Sequence, residues 1–236
     1  MEAGGMKPLA IDLFCGLGGW SEGLLAEGFD VIGFDIEAHQ YGEHRYPAQL
    51  VIQDVLTLHG SQFRDAALIV ASPPCQGYSY RAMPWKRAKA LPPPCNALFD
   101  ACFRIQREAS ETAGHRIPLV VENVRGAQPW VGRARWNFGS FYLWGDVPAL
   151  MPSCGKFKSS GMNWSDRTKR GQHFTRVAGR QTIEGAKHDS SGWRENGCLI
   201  SSNRMVQGPK GSKAAAAMIA KIPEPLSRHI ARVYLP

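Results

Sequence analysis

Pro8-Leu9-Ala10-Ile11-Asp12-Leu13-Phe14-Cys15-Gly16-Leu17-Gly18-Gly19 is the stretch that decides the fold. Pro8 to Phe14 is short and apolar enough for a buried strand, and the glycines that follow let backbone N–H groups approach a ligand closely. A helix is expected from Trp20 to Glu27, with Leu24 and Leu25 on one face and Gly28 as its stop. Strand, glycine turn and helix in that order open a parallel α/β unit.

The same alternation continues along the chain. Phe29–Phe34 reads as a second strand closed by Asp35, Leu50–Ile52 as a third ending at Gln53-Asp54, and Leu68–Ala71 as a fourth. Ala97–Ala109 has helical spacing, with Leu98, Ala101, Cys102 and Ile105 on its apolar face. Ile117–Val121 is the fifth strand and leads into Glu122-Asn123. Phe138–Trp144 is expected as one further strand, and Ala214–Ile222 and Pro225–Tyr234 as closing helices. Apolar strands alternating with helices imply a mostly parallel sheet covered on both faces, a Rossmann-like α/β fold. The glycine loop, Asp35, Asp54, Cys75 and Glu122 then all fall at strand C-termini, where open α/β sheets bind ligands.

Ser72-Pro73-Pro74-Cys75-Gln76-Gly77-Tyr78-Ser79 follows the fourth strand. Each proline fixes its own φ and restricts the residue before it, so the thiol sits on a stiff loop. Free cysteine is among the most buried residue types, yet a thiol between Pro-Pro and Gln-Gly is a poor core filler. The nucleophile reading is favoured. A carboxyl at Glu122, on the next strand end, could face it across a pocket.

At the cofactor end, Gly16-Leu17-Gly18-Gly19 departs from the dinucleotide Gly-x-Gly-x-x-Gly pattern. With Asp35 placed for ribose hydroxyls and Asp54 for an adenine amino group, a mononucleoside such as S-adenosylmethionine suits it better than NAD. Asp35 is also a natural helix N-cap, and the two roles are compatible.

The chain has 236 residues and a net charge of +8. Residues 151–213 hold twelve Lys/Arg against four Asp/Glu, and the rest balances at sixteen of each. A confined basic excess with Trp164, Phe174 and Trp193 inside it tilts toward a nucleic-acid surface over a solvated insert. No apolar run approaches the ~20 residues of a membrane span, and no signal peptide is legible. Cytoplasm is the expected compartment, with the six cysteines free and no Cys/His spacing for a metal.

Taken together, Phe14-x-Gly16-x-Gly18, Pro74-Cys75-Gln76 and Glu122-Asn123-Val124 strongly resemble the cytosine-C5 DNA methyltransferases, over residues 8 to about 150. The resemblance implies a methyltransferase fold in which Cys75 adds to cytosine C6 and Glu122 holds N3 and the exocyclic amine. It implies S-adenosylmethionine as cofactor, released as S-adenosylhomocysteine and contacted by Phe14, Gly16, Gly18, Gly19, Asp35, Ile36, Asp54, Val55, Pro74, Asn96 and Leu98. Gln76, Ser79 and Asn123 are implied substrate contacts, and the target base must flip out of the duplex. Gly77–Ala90, carrying Arg81, Lys86, Arg87 and Lys89, looks like the loop that closes over it. Gly132-Arg133-Ala134-Arg135 resembles the family's Gln-x-Arg-x-Arg motif, with Val131 where Gln would stand, so Arg133 and Arg135 join the catalytic set.

The resemblance also implies a division into a catalytic unit (1–150), a small target recognition region (151–213) and closing helices (214–236). Ala220–Leu226 replaces the family's Gly-Asn-Ser/Ala-Val segment. These departures look like those of a compact phage or prophage-type member rather than a restriction-modification enzyme. Double-stranded DNA is the expected partner and a monomer the favoured state. Two other readings stand beside this one. An RNA (tRNA) methyltransferase of the same superfamily would normally carry Phe-Thr after the cysteine, so Gln76 favours DNA. A DNA-binding protein that has lost turnover would have no reason to keep both Cys75 and Glu122.

Overall fold

β1 (Leu9–Leu13) is an interior strand of a seven-stranded sheet. The computed structural model describes residues 6–78, 92–152, 217–218 and 220–236. After β1 come α1 (Gly19–Ala26), β2 (Asp30–Asp35), a small hairpin of β3 (Gln40–Tyr41) and β4 (His44–Arg45), and β5 (Gln49–Ile52). β6 (Ala66–Ala71), α2 (Ala97–Ala113), β7 (Leu119–Asn123), α3 (Gln128–Val131), β8 (Trp136–Phe138), β9 (Phe141–Gly145) and α4 (Glu224–Tyr234) complete the described elements.

The sheet runs in the order β5-β2-β1-β6-β7-β9-β8. The first five strands are parallel, and β9 runs antiparallel between β7 and β8. The chain builds outward from β1 to β2 and β5, then crosses back to lay β6 on the other side of β1. That reversal is a topological switch point, and it lies between the strands that precede the glycine loop and Cys75. Register aligns the strand ends: Phe34 and Ala71 both pair with Leu13, and Val121 pairs with Ala71. One residue further along each strand lie Asp35, Phe14, Ser72 and Glu122.

Period-two alternation divides the side chains between two cores. Ile11, Leu13, Ile69, Ala71, Leu119 and Val121 pack with Phe99 and Ile105 of α2. Ala10, Leu68, Val70 and Val120 pack on the opposite face with Trp20 and Leu24 of α1 and Leu226 and Ile230 of α4. β7 is buried throughout, its apolar Leu119–Val121 and the polar Glu122 and Asn123 alike.

Two elements depart from the expectations. The stretch Phe138–Trp144 is not one strand; the chain turns at Gly139, whose φ is 60°, and β8 and β9 pair as a hairpin. Gly-Ser between two apolar runs is a hairpin signal. The helix expected to stop at Ala109 continues to Ala113, its last turns carrying Ser110 and Thr112 hydroxyl bonds to the carbonyls four residues back. Gly114, at φ 74°, ends it with a bond to Ser110 O. Of Ala214–Ile222, residues 214–216 and 219 lie outside the described residues, as does nearly all of 151–213.

α4 closes over α1 because α1 presents glycines to it. A Cβ on Gly19 would meet the backbone of Ile222, and one on Gly23 would overlap Ser227 and approach Arg228 N to 2.6 Å. Glu27 pairs with Arg228 at 2.5 Å and Arg232 at 2.9 Å, and Lys221 reaches Glu22 at 2.5 Å. Gly23→Ala should therefore push the helices apart and lower stability by about 1–3 kcal/mol despite its better helix propensity. Urea unfolding checks this, and a neutral or stabilising result would contradict the close approach.

Candidate active site

The turn after β1 is built from backbone that side chains resist. Phe14 has φ 57°, the single positive value at a non-glycine among the described residues, and Gly16 and Gly18 follow at 52° and 76°. Left-handed backbone at a bulky residue costs on the order of 1 kcal/mol and persists where its surroundings over-determine it. Here Gly18 N donates to Cys15 O at 2.7 Å and Gly16 N donates to Asp35 Oδ2 at 2.9 Å. A Cβ on Gly16 would meet nothing within 4 Å, whereas one on Gly18 would overlap Pro47. Gly16 thus borders open space and Gly18 is pinned by the segment before β5.

Asp35 works first on the backbone. Oδ1 accepts from Ile36 N at 2.8 Å and Glu37 N at 3.4 Å, so the carboxylate joins the β1 turn to the end of β2. Ile36 beside it is 70% exposed. Asp54 caps the short turn after β5 through Leu56 N at 2.9 Å, and Val55 is buried below.

Under the glycine loop lies a polar chain that sequence reasoning missed. Ser21 Oγ donates to Asp12 Oδ2 at 2.6 Å and shares a second 2.6 Å bond with the Tyr46 hydroxyl. Asp12 Oδ1 is buried without a partner. Burial, opposed by the Ser21 bond and helped by the charge of Asp35, pushes the Asp12 carboxyl up to about 7. Burial also raises the Cys15 thiol, with Asp12 and Asp35 adding to it.

Cys75 is half-buried at the head of the turn Gln76–Tyr78, where Gln76 is exposed and Tyr78 buried. Burial raises its thiol, and the charge of Glu122 raises it further. Glu122 is 9% exposed, and burial pushes its carboxyl up to about 8, with nearby Ser72 opposing the shift. Ser72 Oγ in turn accepts from Trp20 Nε1 at 3.0 Å. Asp12, Ser72 and Glu122 share the α1 face of their strands. That placement was available from strand parity, because each lies two residues beyond a residue of the α1-side core.

Two amides hold the loop. Asn123 is buried on the other face; Nδ2 donates to Pro73 O at 2.9 Å and Oδ1 accepts from Val124 N. Its carboxamide is spent on tying the Cys75 loop to β7. Asn96 accepts from the Tyr78 hydroxyl at 2.9 Å and donates to Trp130 O at 3.0 Å. Leu98 is half-buried as the second residue of α2, and Pro74 is exposed beside Cys75.

Arg133 and Arg135 are exposed and precede the edge strand β8. Leu143 pairs with Glu122 on one side and Trp136 on the other, and Arg135, one residue before Trp136, donates its N–H to Leu143 O. Two strand spacings set the backbones of Glu122 and Arg135 roughly 10 Å apart, within reach of a long side chain. Ser79 and the segment from there to 91 lie outside the described residues. Among the described residues no His/Cys/Asp/Glu cluster could hold a metal, and no helix is long and apolar enough to cross a membrane.

The buried carboxyls give a signed pH dependence. An acid whose folded pKa exceeds its unfolded value stabilises fully below the unfolded value and loses that share as pH rises through the folded one. The windows run from 4.5 to about 8 for Glu122 and from 3.8 to about 7 for Asp12. Urea midpoints should fall between about pH 4 and about pH 8, and Glu122→Gln should flatten that fall, its upper end most. A midpoint constant across this range would contradict two neutral buried carboxyls.

The sequence profile of the C-5 cytosine-specific DNA methylases matches residues 9–128, from β1 to the first residue of α3. No curated protein matches the chain. Among solved structures it is similar to a DNA modification methyltransferase encoded within an E. coli prophage, with 26% identity and a TM-score of 0.38 over 53% of this chain and 35% of that one. It is also similar to the S. pombe Dnmt2 methyltransferase, with 17% identity and a TM-score of 0.34 over 52% and 36%. The chain spans little more than a third of the length of those two proteins. A mutant of Spodoptera frugiperda DNMT2 aligns over 98% of this chain and 100% of its own, at 12% identity and a TM-score of 0.50, which shows a shared methyltransferase fold. The profile match takes in half of the sequence, including the ends of β6 and β7 that carry Cys75 and Glu122, and the chain belongs to the C-5 cytosine-specific DNA methylase family.

Proposed function

We propose that this chain is a DNA cytosine-C5 methyltransferase, using S-adenosylmethionine and acting on a cytosine flipped out of duplex DNA. One juxtaposition carries the reading: a thiol and a buried carboxyl at the ends of adjacent parallel strands, with the charge of Glu122 bearing on Cys75.

C5 of cytosine is too weakly nucleophilic to take a methyl group unaided. Addition of the Cys75 thiolate to C6 forms a C–S bond and moves electron density to C5 and N3. Glu122, protonated at neutral pH because it is buried, donates to N3 and offsets the charge that develops there. The same proton removes the repulsion that an ionised Glu122 would exert on the thiolate. After transfer, loss of the C5 proton and cleavage of the C–S bond return the thiolate. Asn123 and Asn96 keep the Cys75 loop fixed while the base enters.

The residues at the ends of β1, β2 and β5 suit the cofactor. Open space at Gly16, an Asp35 Oδ2 with one lone pair beyond its Gly16 bond, exposed Ile36 and Asp54 next to Val55 form a fitting surface for an adenosyl group. When bound, S-adenosylmethionine supplies an electrophilic methyl on a cationic sulfur. Phe14, Gly18 and Gly19 shape the turn, and Pro74 borders it. In this reading residues 1–150 are the catalytic unit, 151–213 the DNA-recognition region and 214–236 the closing segment, in a cytoplasmic monomer. Arg133 and Arg135 reach toward the base, with Gln76 and Ser79 near it.

Duplex DNA containing 5-fluorocytosine tests this directly, because fluorine cannot leave C5 as the proton does. With S-adenosylmethionine present, a protein–DNA adduct should survive denaturing electrophoresis, and Cys75→Ala should abolish it without loss of cofactor binding. No adduct on mixed-sequence DNA, with the cofactor bound, would overturn the proposal; an adduct on fluorinated RNA alone would move it to RNA. Neutralising Lys/Arg residues within 151–213 should weaken DNA binding and reduce the slope of log K against log salt by about 0.9 for each phosphate that no longer meets a cation. Binding that ignores salt would remove this segment from the interface.

A further inference from the structure

We propose that Tyr46 is a positioning residue for the cofactor, clamping the glycine turn after β1 through a hydrogen-bonded chain to Ser21 and Asp12. The proposal rests on the reading of that turn as the cofactor site, and it adds what holds the turn in shape.

Two glycines mark where Tyr46 packs. Gly33 stands inside β2, where glycine weakens a strand and often marks a close approach. A Cβ there would overlap the ring Cζ and hydroxyl of Tyr46 and come within 2.8 Å of Cys15 Sγ. A Cβ on Gly18 would lie 3.1 Å from Tyr46 Cδ2 and would overlap Pro47. The one ring therefore presses on β2 beneath the turn and on the last left-handed residue of the turn itself. Tyr46 is 7% exposed although it belongs to the connection between β4 and β5.

Donor counting fixes the direction of the chain. The Ser21 hydroxyl has one proton, which it donates to Asp12 Oδ2 at 2.6 Å. The phenol must then be the donor in the 2.6 Å contact between Tyr46 and Ser21. Burial raises the Tyr46 phenol, so it keeps the proton that this bond needs. Ser21 and Asp12 are 0% and 1% exposed, and water does not compete for either bond. Asp12 Oδ1 has no partner, so this acid weakens the fold even as it anchors Ser21.

The chain joins the strand before the turn, the helix after it and the segment that lies against it. Left-handed backbone at Phe14, Gly16 and Gly18 persists only where its surroundings over-determine it. The bonds from Gly16 to Asp35 and from Gly18 to Cys15 fix the interior of the turn. Tyr46 and Ser21 fix where α1 begins relative to β1. A turn that sampled other conformations would bind with an apparent Kd raised by the inverse of its competent fraction. Tyr46 acts in this way, through the backbone of the turn.

The test is calorimetric titration of the full chain with S-adenosylhomocysteine. Tyr46→Phe keeps the ring and removes the hydroxyl, and should weaken binding about fivefold, the equilibrium worth of one neutral hydrogen bond. Ser21→Ala should weaken it at least as much. The double variant should lose no more than Ser21→Ala alone, because the Tyr46 bond ends on Ser21. In the cofactor-free protein, Tyr46→Phe should also speed amide hydrogen exchange at Gly16–Gly19. Unchanged affinity in Tyr46→Phe overturns the proposal even where the unfolding midpoint falls, since that is the mark of a merely structural tyrosine. Additive losses in the double variant overturn the chain. An unsubstituted protein that binds no S-adenosylhomocysteine sinks the cofactor reading itself and the proposal with it, a result distinct from binding that Tyr46→Phe leaves untouched.

Discussion

The parallel pairing of β1 with β6 is the interaction on which the rest of the site depends. Leu13 lies beside Ala71, and Ser72 N closes the pair on Leu13 O. That pairing puts the chain reversal between the two strands, so the glycine loop and the Cys75 loop emerge side by side. A one-residue slip would exchange the two faces of every strand involved. Ser72 would turn toward α2, away from Trp20, and the loop bearing Cys75 would lose its relation to Glu122. Because both faces of the sheet are packed with apolar side chains, such a slip would expose neither core and would instead bury the wrong sizes against each helix. Registry is thus enforced by packing volume and by the polar pairs at the strand ends.

Burial is the second determinant, and it acts electrically. Asp12 and Glu122 sit at the ends of apolar strands, where neither carboxylate finds a cation among the described residues. Both are pushed toward neutral pH; Asp12 keeps the Ser21 hydroxyl as partner, and Ser72 near Glu122 opposes its shift. Desolvation and hydrogen bonding oppose each other in both cases, and desolvation wins because a single neutral hydroxyl does not replace a hydration shell. The stability lost at alkaline pH is the cost of holding a protonated acid next to a thiol. A carboxyl exposed at the same position would ionise in the usual acid range and could offer no proton at neutral pH.

Much of this is legible in the sequence. Five strand ends, the helix after the glycines and the placement of Cys75 and Glu122 follow from apolar run length and from glycine and proline punctuation, because those signals are local. The hairpin at Gly139-Ser140 is equally local, yet the apolar residues on either side of it make Phe138–Trp144 read as a continuous run. What the sequence does not disclose is which polar side chains pair across the sheet. Trp20 and Ser72 are 52 positions apart, and Asn123 reaches Pro73 across 50. In sequence Ser72 is simply the start of a proline loop, and Asn123 resembles a residue aimed at substrate. Long-range hydrogen bonds between ordinary residue types leave no periodic trace.

The rigidity of Cys75 is the clearest example of how the two kinds of information combine. Two prolines restrict the backbone before the thiol, but a stiff loop still needs to be attached to something. Asn123 fastens its near side to β7 through Pro73, and Asn96 fastens its far side to α2 and α3 through Tyr78 and Trp130. Proline reduces the number of conformations the loop can sample, while the amides choose which one is kept. In the proposed reaction the thiolate approaches C6 from the face of the ring and would benefit from both, since effective concentration depends on the width of the positional distribution as well as its mean. The loop, its two amide anchors and the Trp20–Ser72 bond at the end of β6 therefore act as one scaffold, which fixes the thiol beside the end of β7 that carries Glu122.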